Sequence, residues 1–260
     1  MWFFPDDTTL WSLLALGAAV LIIGIAKAGF GGGVAIVAVP LTAAAMPPER
    51  AIGVLLPLLI CADLFANAAH FRHQSRPHLK WLLVGGIMGI VAGTAMMLAL
   101  QEKDLLTFAL NVLVGSICLF FVAVQCYRLV GGSVPRIPPG PLGGHGTGLV
   151  AGLTSTIAHS AGPIVSIYLL EQRMEKRLLV GTMVLFFLII NVAKLPTYFA
   201  LGLINPGTLW TGLWTLPLIP VGVWLGLWMH KRIPEKPFVV VMYLGAAAAA
   251  GNMLYRALAG

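Results

Sequence analysis

The chain has 260 residues, of which 59% are hydrophobic and only 10% are charged, and its formal net charge is +7. A soluble domain has about 45–50% apolar and about 25% charged residues, so this chain cannot form a water-compatible surface. The composition also excludes a disordered chain, a coiled coil and a secreted disulfide scaffold. In a membrane protein, excess Lys and Arg reports orientation rather than a nucleic-acid partner. Roughly 153 apolar residues suffice for about seven or eight spans, which predicts an all-α polytopic membrane protein.

Eight hydrophobic segments follow one another along the chain. They cover 10–46, 51–70, 79–100, 105–130, 146–170, 177–200, 207–229 and 236–258. A Gly- and Pro-rich linker at 131–145 separates two stretches of similar length. We therefore predict a first transmembrane repeat at 1–130 and a second at 146–260, joined by a cytoplasmic linker. The first segment lacks the preceding Lys or Arg of a signal peptide, so we expect it to remain in the fold.

Two of these segments contain an internal break. The first carries four glycines within the five positions 29–33, and each glycine weakens a helix by about 1 kcal/mol. The fifth is interrupted at 154–163, where the sequence reads TSTIAHSAGP. Each half is therefore predicted to open with a broken or re-entrant helical hairpin, followed by three uninterrupted segments.

The distribution of positive charges favours this arrangement. If each broken segment returns to its starting side and the N-terminus lies outside, eleven Lys and Arg fall on the cytoplasmic side. They are Arg72, Arg76, Lys80, Arg128, Arg136, Arg173, Lys176, Arg177, Lys231, Arg232 and Lys236. Only Arg50, Lys103 and Arg256 fall outside. This asymmetry satisfies the positive-inside rule, and it predicts that both termini lie outside and that the halves have opposite orientation.

A weak internal register supports duplication. Residues 48–51 (PERA) align with 175–178 (EKRL), and the same offset places Asn67 on Lys194. Further along, Gly89 and Gly93 align with Gly222 and Gly226. Together with the charge count, this predicts two inverted-topology repeats. In transporters of this kind, discontinuous helices meet near the midplane and form the substrate site.

Three charged residues remain at membrane depth, namely Lys27, Asp63 and Lys194. Each costs at least about 2.5–3.5 kcal/mol in hydrocarbon, so each is expected to face protein or water. Two cations beside the N-terminal ends of broken helices would form an anion site. Asp63 is a candidate for charge pairing or proton coupling. The structural alternatives are an Asp63–Lys194 pair that joins two helices and a Lys27 side chain that snorkels to an interface.

Small and polar residues near the two breaks complete the predicted site. The glycines are expected to line the substrate, with close helix packing as the alternative, and the hydroxyls and imidazole of the second break can donate to sulfonyl or carboxyl oxygens. The alternative for the hydroxyls is local bonding to the backbone. The mid-segment amides are Asn67 and Asn191. The predicted substrate-binding set is Lys27, Gly29, Gly31, Gly32, Gly33, Asn67, Thr154, Ser155, His159, Ser160, Gly162 and Lys194.

Several of these motifs together resemble a known family. The stretch 27–33 (KAGFGGG), Pro40-Leu41, the PERA at 48–51 and the Gly89/Gly93 pair are similar to the TauE/SafE family of sulfite-exporter-like permeases. The stretch 159–163 (HSAGP) looks like that family's repeat, with a less complete glycine run. The resemblance implies export of sulfite, organosulfonates or related sulfur oxyanions across the bacterial inner membrane.

The resulting hypothesis is a secondary exporter of a small sulfur-containing anion that works by alternating access in the lipid bilayer. Protons are a candidate coupling ion, through Asp63 or His159. We expect no enzymatic activity, catalytic residues, cofactor, metal site or nucleic-acid partner, while the oligomeric state and the exact substrate stay open. The alternatives are a transporter of another small ligand such as an amino acid or a metal cation, an anion channel and an intramembrane enzyme.

Overall fold

A computed structural model describes residues 9–29, 33–70, 73–100, 102–132, 137–232 and 235–259. All regular structure within these ranges is helical. The first half contains α1 (Leu10–Gly29), a 3-10 helix (Gly33–Val37), α2 (Ala38–Ala43), α3 (Pro48–His70), α4 (Arg76–Ala99) and α5 (Lys103–Leu129). The second half contains α6 (Pro141–Ala158), α7 (Gly162–Glu171), α8 (Lys176–Ala193), α9 (Leu195–Ala200), α10 (Pro206–Thr215), α11 (Leu218–Arg232) and α12 (Glu235–Ala259).

Six helical stretches of the described chain are long and apolar enough to cross a membrane, and the bent pair α10 and α11 adds a seventh. The six lie in α1, α3, α4, α5, α8 continued by α9, and α12. Helix α7 is apolar but shorter. The prediction of an all-α polytopic membrane protein is confirmed, and the expected count of about eight segments is roughly consistent with these spans.

Both predicted breaks are present. Helix α1 ends at Gly29, and the chain is next described as a 3-10 helix from Gly33. Helix α6 ends at Ala158, where His159 adopts a left-handed backbone with a φ of 49°. That conformation ends α6, and α7 begins at Gly162.

The expectation of three uninterrupted segments after each break is wrong for the segment 207–229. Helix α10 ends at Thr215, α11 begins at Leu218, and the two are bent by 42°. Pro217 and Pro220 explain the bend, because a proline has no amide hydrogen and its ring clashes with the preceding turn. Helix α6 begins at Pro141, so it includes the last five residues of the 131–145 linker.

The helices pair in a pattern that is symmetric between the halves. Helix α1 packs along α11, and α4 packs along α6, so that each of these pairs joins the two halves. Helix α3 packs on α8, and α5 packs on α12. Exchanging the halves converts the α1–α11 pair into α6–α4 and leaves the other two pairs unchanged. This is the arrangement expected when two repeats are related by a pseudo-twofold axis.

Glycines bring the α1–α11 and α4–α6 pairs into backbone contact. A Cβ on Gly24 of α1 would lie 2.8 Å from the Cα of Gly222 in α11. A Cβ on Gly89 of α4 would lie 3.0 Å from the Cα of Gly152 in α6. Small residues let membrane helices approach this closely. Gly89 and Gly222, which align in the sequence register, therefore occupy equivalent interfaces in the two halves.

Candidate functional site

An ion pair joins the first half's two buried charges. The Nζ of Lys27, in the last turn of α1, contacts Oδ1 of Asp63 in α3. Asn191 of α8 donates its Nδ2–H to Oδ2 of the same carboxylate at 2.7 Å. The Lys27 ammonium also lies 4.7 Å from the centroid of the Phe187 ring. The side chain of Asp63 is 0% exposed and that of Lys27 is 8% exposed, so this pair is shielded from both lipid and water.

The second buried cation has a different environment. Lys194 lies between α8 and α9 and is 0% exposed. Its Nζ donates to the backbone oxygen of Ser155 at 3.0 Å, to Oγ of Ser155 at 2.9 Å and to Nδ1 of His159 at 2.9 Å. Since an ammonium has three donors, this arrangement uses all of them.

The hydrogen bonds of His159 determine its protonation in this arrangement. Its Nε2 lies 3.0 Å from the backbone oxygen of Ile52 in α3, and a carbonyl only accepts hydrogen bonds. Nε2 therefore carries a proton and donates it to Ile52, while Nδ1 accepts from the Lys194 ammonium. Assigned from this network, His159 is a neutral imidazole that connects α3 to the break between α6 and α7.

The charges of the two groups do not cancel. Lys27 is compensated by Asp63, whereas Lys194 contacts only neutral acceptors. Within the described ranges, no carboxylate lies within ion-pair distance of Lys194. A buried ammonium without a counterion is costly, and hydrogen bonds to neutral groups compensate it only in part. With Lys194 in its ammonium form, the cluster therefore has one excess positive charge at the position where α8 passes the break of α6.

These contacts decide the two structural alternatives for the charged residues. The Asp63–Lys194 pair is not formed, because α1 places Lys27 next to Asp63. Lys27 does not snorkel, because its side chain is almost fully buried. Lys27 lies in the last turn of α1, and Lys194 follows the end of α8 and donates to a carbonyl near the end of α6. Helix C-terminal ends attract cations, which explains both positions.

The other polar residues of the second break make mainly local bonds. Thr154 donates Oγ1–H to Val150 O at 2.8 Å, and Ser160 donates Oγ–H to Ala158 O at 2.9 Å. These contacts match the alternative of local backbone bonding. Of the hydroxyl and imidazole groups predicted here, Ser155 and His159 are the ones that contact Lys194.

The remaining predicted residues flank the cluster. Gly29 ends α1, Gly33 begins the 3-10 helix and Gly162 begins α7. Asn67 is half-buried, one helical turn beyond Asp63 on α3. Gly31 and Gly32 lie outside the described residues.

Two side chains outside the predicted set belong to the cluster. Asn191 bonds Asp63, and Tyr198 donates its hydroxyl to Thr156 O at 2.8 Å. The Tyr198 ring lies 5.8 Å from the His159 ring and 5.9 Å from Nζ of Lys194. Asn191 and Tyr198 are three residues before and four residues after Lys194, so helical periodicity would have placed them on the same face.

A family model described as Sulfite exporter TauE/SafE matches residues 16–253, which include both halves and the whole polar cluster. The chain belongs to this family. Membership confirms the resemblance seen in the TauE/SafE motifs and makes the chain a multi-pass membrane protein of a family of transporters rather than enzymes. No curated protein and no solved structure matches the chain.

Proposed function

We propose that this TauE/SafE protein is a secondary transporter that exports sulfite, an organosulfonate or a related small sulfur oxyanion by alternating access. The observation that carries the proposal is Lys194, a fully buried cation whose contacts are all neutral acceptors. The excess positive charge favours an anion and disfavours a metal cation or another cationic ligand.

An oxyanion reaches Lys194 by replacing one of its present acceptors. When a sulfonyl oxygen takes the place of Ser155 Oγ, the hydroxyl is released from the ammonium and turns to donate to the anion as well. The Ser155 carbonyl and His159 Nδ1 keep the ammonium in position. Charge-assisted hydrogen bonds of this kind are roughly twice as strong as neutral ones.

The proposed setting is the bacterial inner membrane, with both termini outside and the loop around 72–80 in the cytoplasm. In this orientation an inside-negative membrane potential drives an anion outward, at about 2.3 kcal/mol per charge for each 100 mV. Export therefore needs no nucleotide. Proton coupling through Asp63 or His159 is the second element of the proposal, and it is separable from anion binding.

Flux measurements on purified protein in proteoliposomes test this proposal. Sulfite, a taurine-like sulfonate, thiosulfate and sulfate are offered separately, with and without a pH gradient and with a controlled membrane potential. We expect saturable flux of at least one sulfur oxyanion, and a pH gradient changes that flux only if protons are coupled. Flux of a cation with no flux of any of these anions would refute the proposed function. Cysteine labelling that placed residues 72–80 outside would refute the orientation.

A further inference from the structure

The number of buried charges in the polar cluster limits the charge of its ligand. Lys27 and Asp63 neutralise each other, His159 is a neutral donor to Ile52, and Lys194 supplies one uncompensated positive charge. Together with the Tyr198 hydroxyl, which donates to Thr156 O, these are the charged and titratable groups that the described residues contribute to the cluster. A ligand with one negative charge makes the occupied site neutral, whereas a dianion leaves one buried negative charge near Asp63.

We propose that the site selects singly charged sulfur oxyanions, namely sulfonates and hydrogen sulfite, over dianions such as sulfate. This inference rests on the proposed function and deepens it. Sulfite enters the site in its protonated form, because only that form matches the single positive charge. Asp63 contributes to this selection, since its carboxylate repels a second negative charge on the ligand.

Competition in proteoliposomes tests the inference, with methanesulfonate as the transported probe because it is a monoanion at every pH used. Sulfite and sulfate serve as competitors across a pH series that spans the protonation of sulfite. We expect sulfite to lose potency about tenfold for each pH unit above that step, as the monoanion fraction falls. Sulfate is expected to compete at least about tenfold more weakly than acidic sulfite. If a protein group titrates in this pH range, uptake of the methanesulfonate probe also changes with pH. Uptake of the probe alone therefore separates titration of the protein from titration of sulfite.

An Asp63→Asn variant sharpens the test, because it raises the net charge of the cluster by one without changing the shape of the side chain. We expect sulfate to compete better in this variant than in the wild type. Absence of uptake of methanesulfonate, sulfite, thiosulfate and sulfate alike would overturn the proposed function, whereas uptake of sulfate without uptake of methanesulfonate or sulfite would overturn only the monoanion inference. Uptake in which sulfate competes as well as sulfite, and sulfite potency does not change with pH, would overturn only the monoanion inference. The wild-type pH series tests the monoanion inference even if the Asp63→Asn variant does not fold.

A second inference comes from an independent observation, the relation between the two halves. Two contacts join residues that are 128 positions apart, Asp63 with Asn191 and Cys118 with Ala246. Contacts between equivalent residues occur on a pseudo-twofold axis, so these contacts set the offset between the halves at 128 here, one residue more than the sequence register that pairs Asn67 with Lys194. The same offset pairs Tyr127-Arg128 at the end of α5 with Tyr255-Arg256 near the end of α12.

The two equivalent arginines have different contacts. Arg256 donates to the carbonyl oxygens of Ala43 and Ala44 at 3.3 and 2.7 Å, which caps the C-terminal end of α2. Residues equivalent to Ala43 and Ala44 are Glu171 and Gln172, at the C-terminal end of α7. Arg128 instead donates to Oε1 of Gln125 in its own helix, at 3.4 Å.

The helix packing shows the same asymmetry. Helix α12 packs against α2, whereas α5 makes no comparable contact with α7 in the described part of the chain. In an inverted-repeat transporter, the two halves exchange conformations when the site changes sides. A contact that is present in one half and absent from the other therefore indicates which contact forms in the opposite-facing state.

We infer that Arg128 caps the C-terminal end of α7 in the opposite-facing state, when Arg256 releases α2. In this inference, the Arg256 contact closes the side of the protein on which α12 ends. The Arg128 contact closes the opposite side, on which α5 ends, in the other state. With the proposed orientation, the inference makes this structure the state that is closed toward the outside. Arg128 and Arg256 are positioning residues, since neither contacts the polar cluster.

Cross-linking of two mirror-image cysteine pairs tests the exchange. In a background with Cys61, Cys118 and Cys126 replaced, one variant carries Ala45→Cys with Ala257→Cys, and the other carries Leu129→Cys with Arg173→Cys. These positions neighbour the contacts in sequence and leave both arginines intact. We expect a short bifunctional maleimide to join each pair during turnover, and each cross-link to stop transport. Failure of either pair to react during turnover would overturn the inference.

Substitution of each arginine adds a reciprocal measurement. Removing an arginine that caps a helix destabilises the state that contains the cap, which shifts the equilibrium between the two states about tenfold toward the other state. We expect Arg128→Gln to increase cross-linking of the 45–257 pair and Arg256→Gln to increase that of the 129–173 pair. A general folding defect would lower both yields. Equal changes in both variants would therefore contradict the exchange.

Discussion

Replacing Lys194 by methionine is the most direct test of the candidate site. Methionine is unbranched, flexible and close to lysine in length, so it fills the same buried volume without a charge. The Ser155 carbonyl stays bonded, since it also accepts the backbone N–H of His159 at 3.1 Å. Removing an uncompensated buried cation also removes its desolvation cost. We therefore expect the Lys194→Met protein to fold and to reach the membrane in normal amounts.

The expected functional loss follows from the lost contacts. A hydrogen bond from a charged donor is worth about 1.5–3 kcal/mol, and 1.4 kcal/mol corresponds to tenfold in affinity. We expect the KM for a transported sulfur oxyanion to rise by about 10- to 100-fold in Lys194→Met. Concentration-dependent uptake in proteoliposomes measures this change.

The matched control for this variant is Lys80→Met, which makes the same change at an exposed position of α4. We expect its KM to remain that of the wild type, because Lys80 lies outside the polar cluster. Wild-type KM and maximal flux in Lys194→Met would refute the assignment of Lys194 to the anion site. An equal loss in both variants would show that the effect does not depend on the site.

Three further predictions concern stability, measured by thermal unfolding of the purified protein in detergent. Gly89→Ala places a Cβ against the backbone of α6 and is expected to cost about 1–3 kcal/mol, whereas Gly146→Ala, with open space around it, is expected to be neutral or stabilising; equal unfolding temperatures would contradict the close packing. Asp63→Ala leaves Lys27 buried and unpaired, at a cost of about 3–5 kcal/mol, and adding Lys27→Met is expected to recover much of it; no recovery in the double variant would count against the ion pair. His159→Val is expected to be less stable than His159→Asn by about 1–2 kcal/mol, because asparagine tolerates the left-handed backbone and a β-branched residue does not; equal stability of the two variants would argue against that conformation.

The breaks and the polar cluster differ in how far the sequence reveals them. Four glycines in five positions and a TSTIAHSAGP stretch oppose a continuous helix wherever they lie, so local propensity predicts both interruptions. Pro217 and Pro220 likewise predict the bend between α10 and α11 from local sequence alone. Hydropathy does not reveal this bend, because both helices lie in one apolar segment.

The partner of each buried charge cannot be obtained in this way. Asp63 had two oppositely charged candidates, and the choice of Lys27 depends on α1 lying beside α3 in three dimensions. The neutral surroundings of Lys194 likewise depend on how the end of α6 meets α8. Periodicity around Lys194 indicates that Asn191 and Tyr198 share its face, but not which groups they contact. Charge counting identified the residues at membrane depth, whereas tertiary packing determined their pairing.

The glycine contacts between halves also constrain how the protein is made. Helix α1 leaves the ribosome before helices α2 to α10, and its close partner α11 follows all of them. Helix α4 similarly waits for α6, so the inserted first half lacks its main packing surfaces until the second half enters the bilayer. A half expressed alone would expose glycine-lined helix faces to lipid, and co-expressed halves would have to find each other by those same faces. The α1–α11 and α4–α6 interfaces therefore form only after the second half has entered the bilayer.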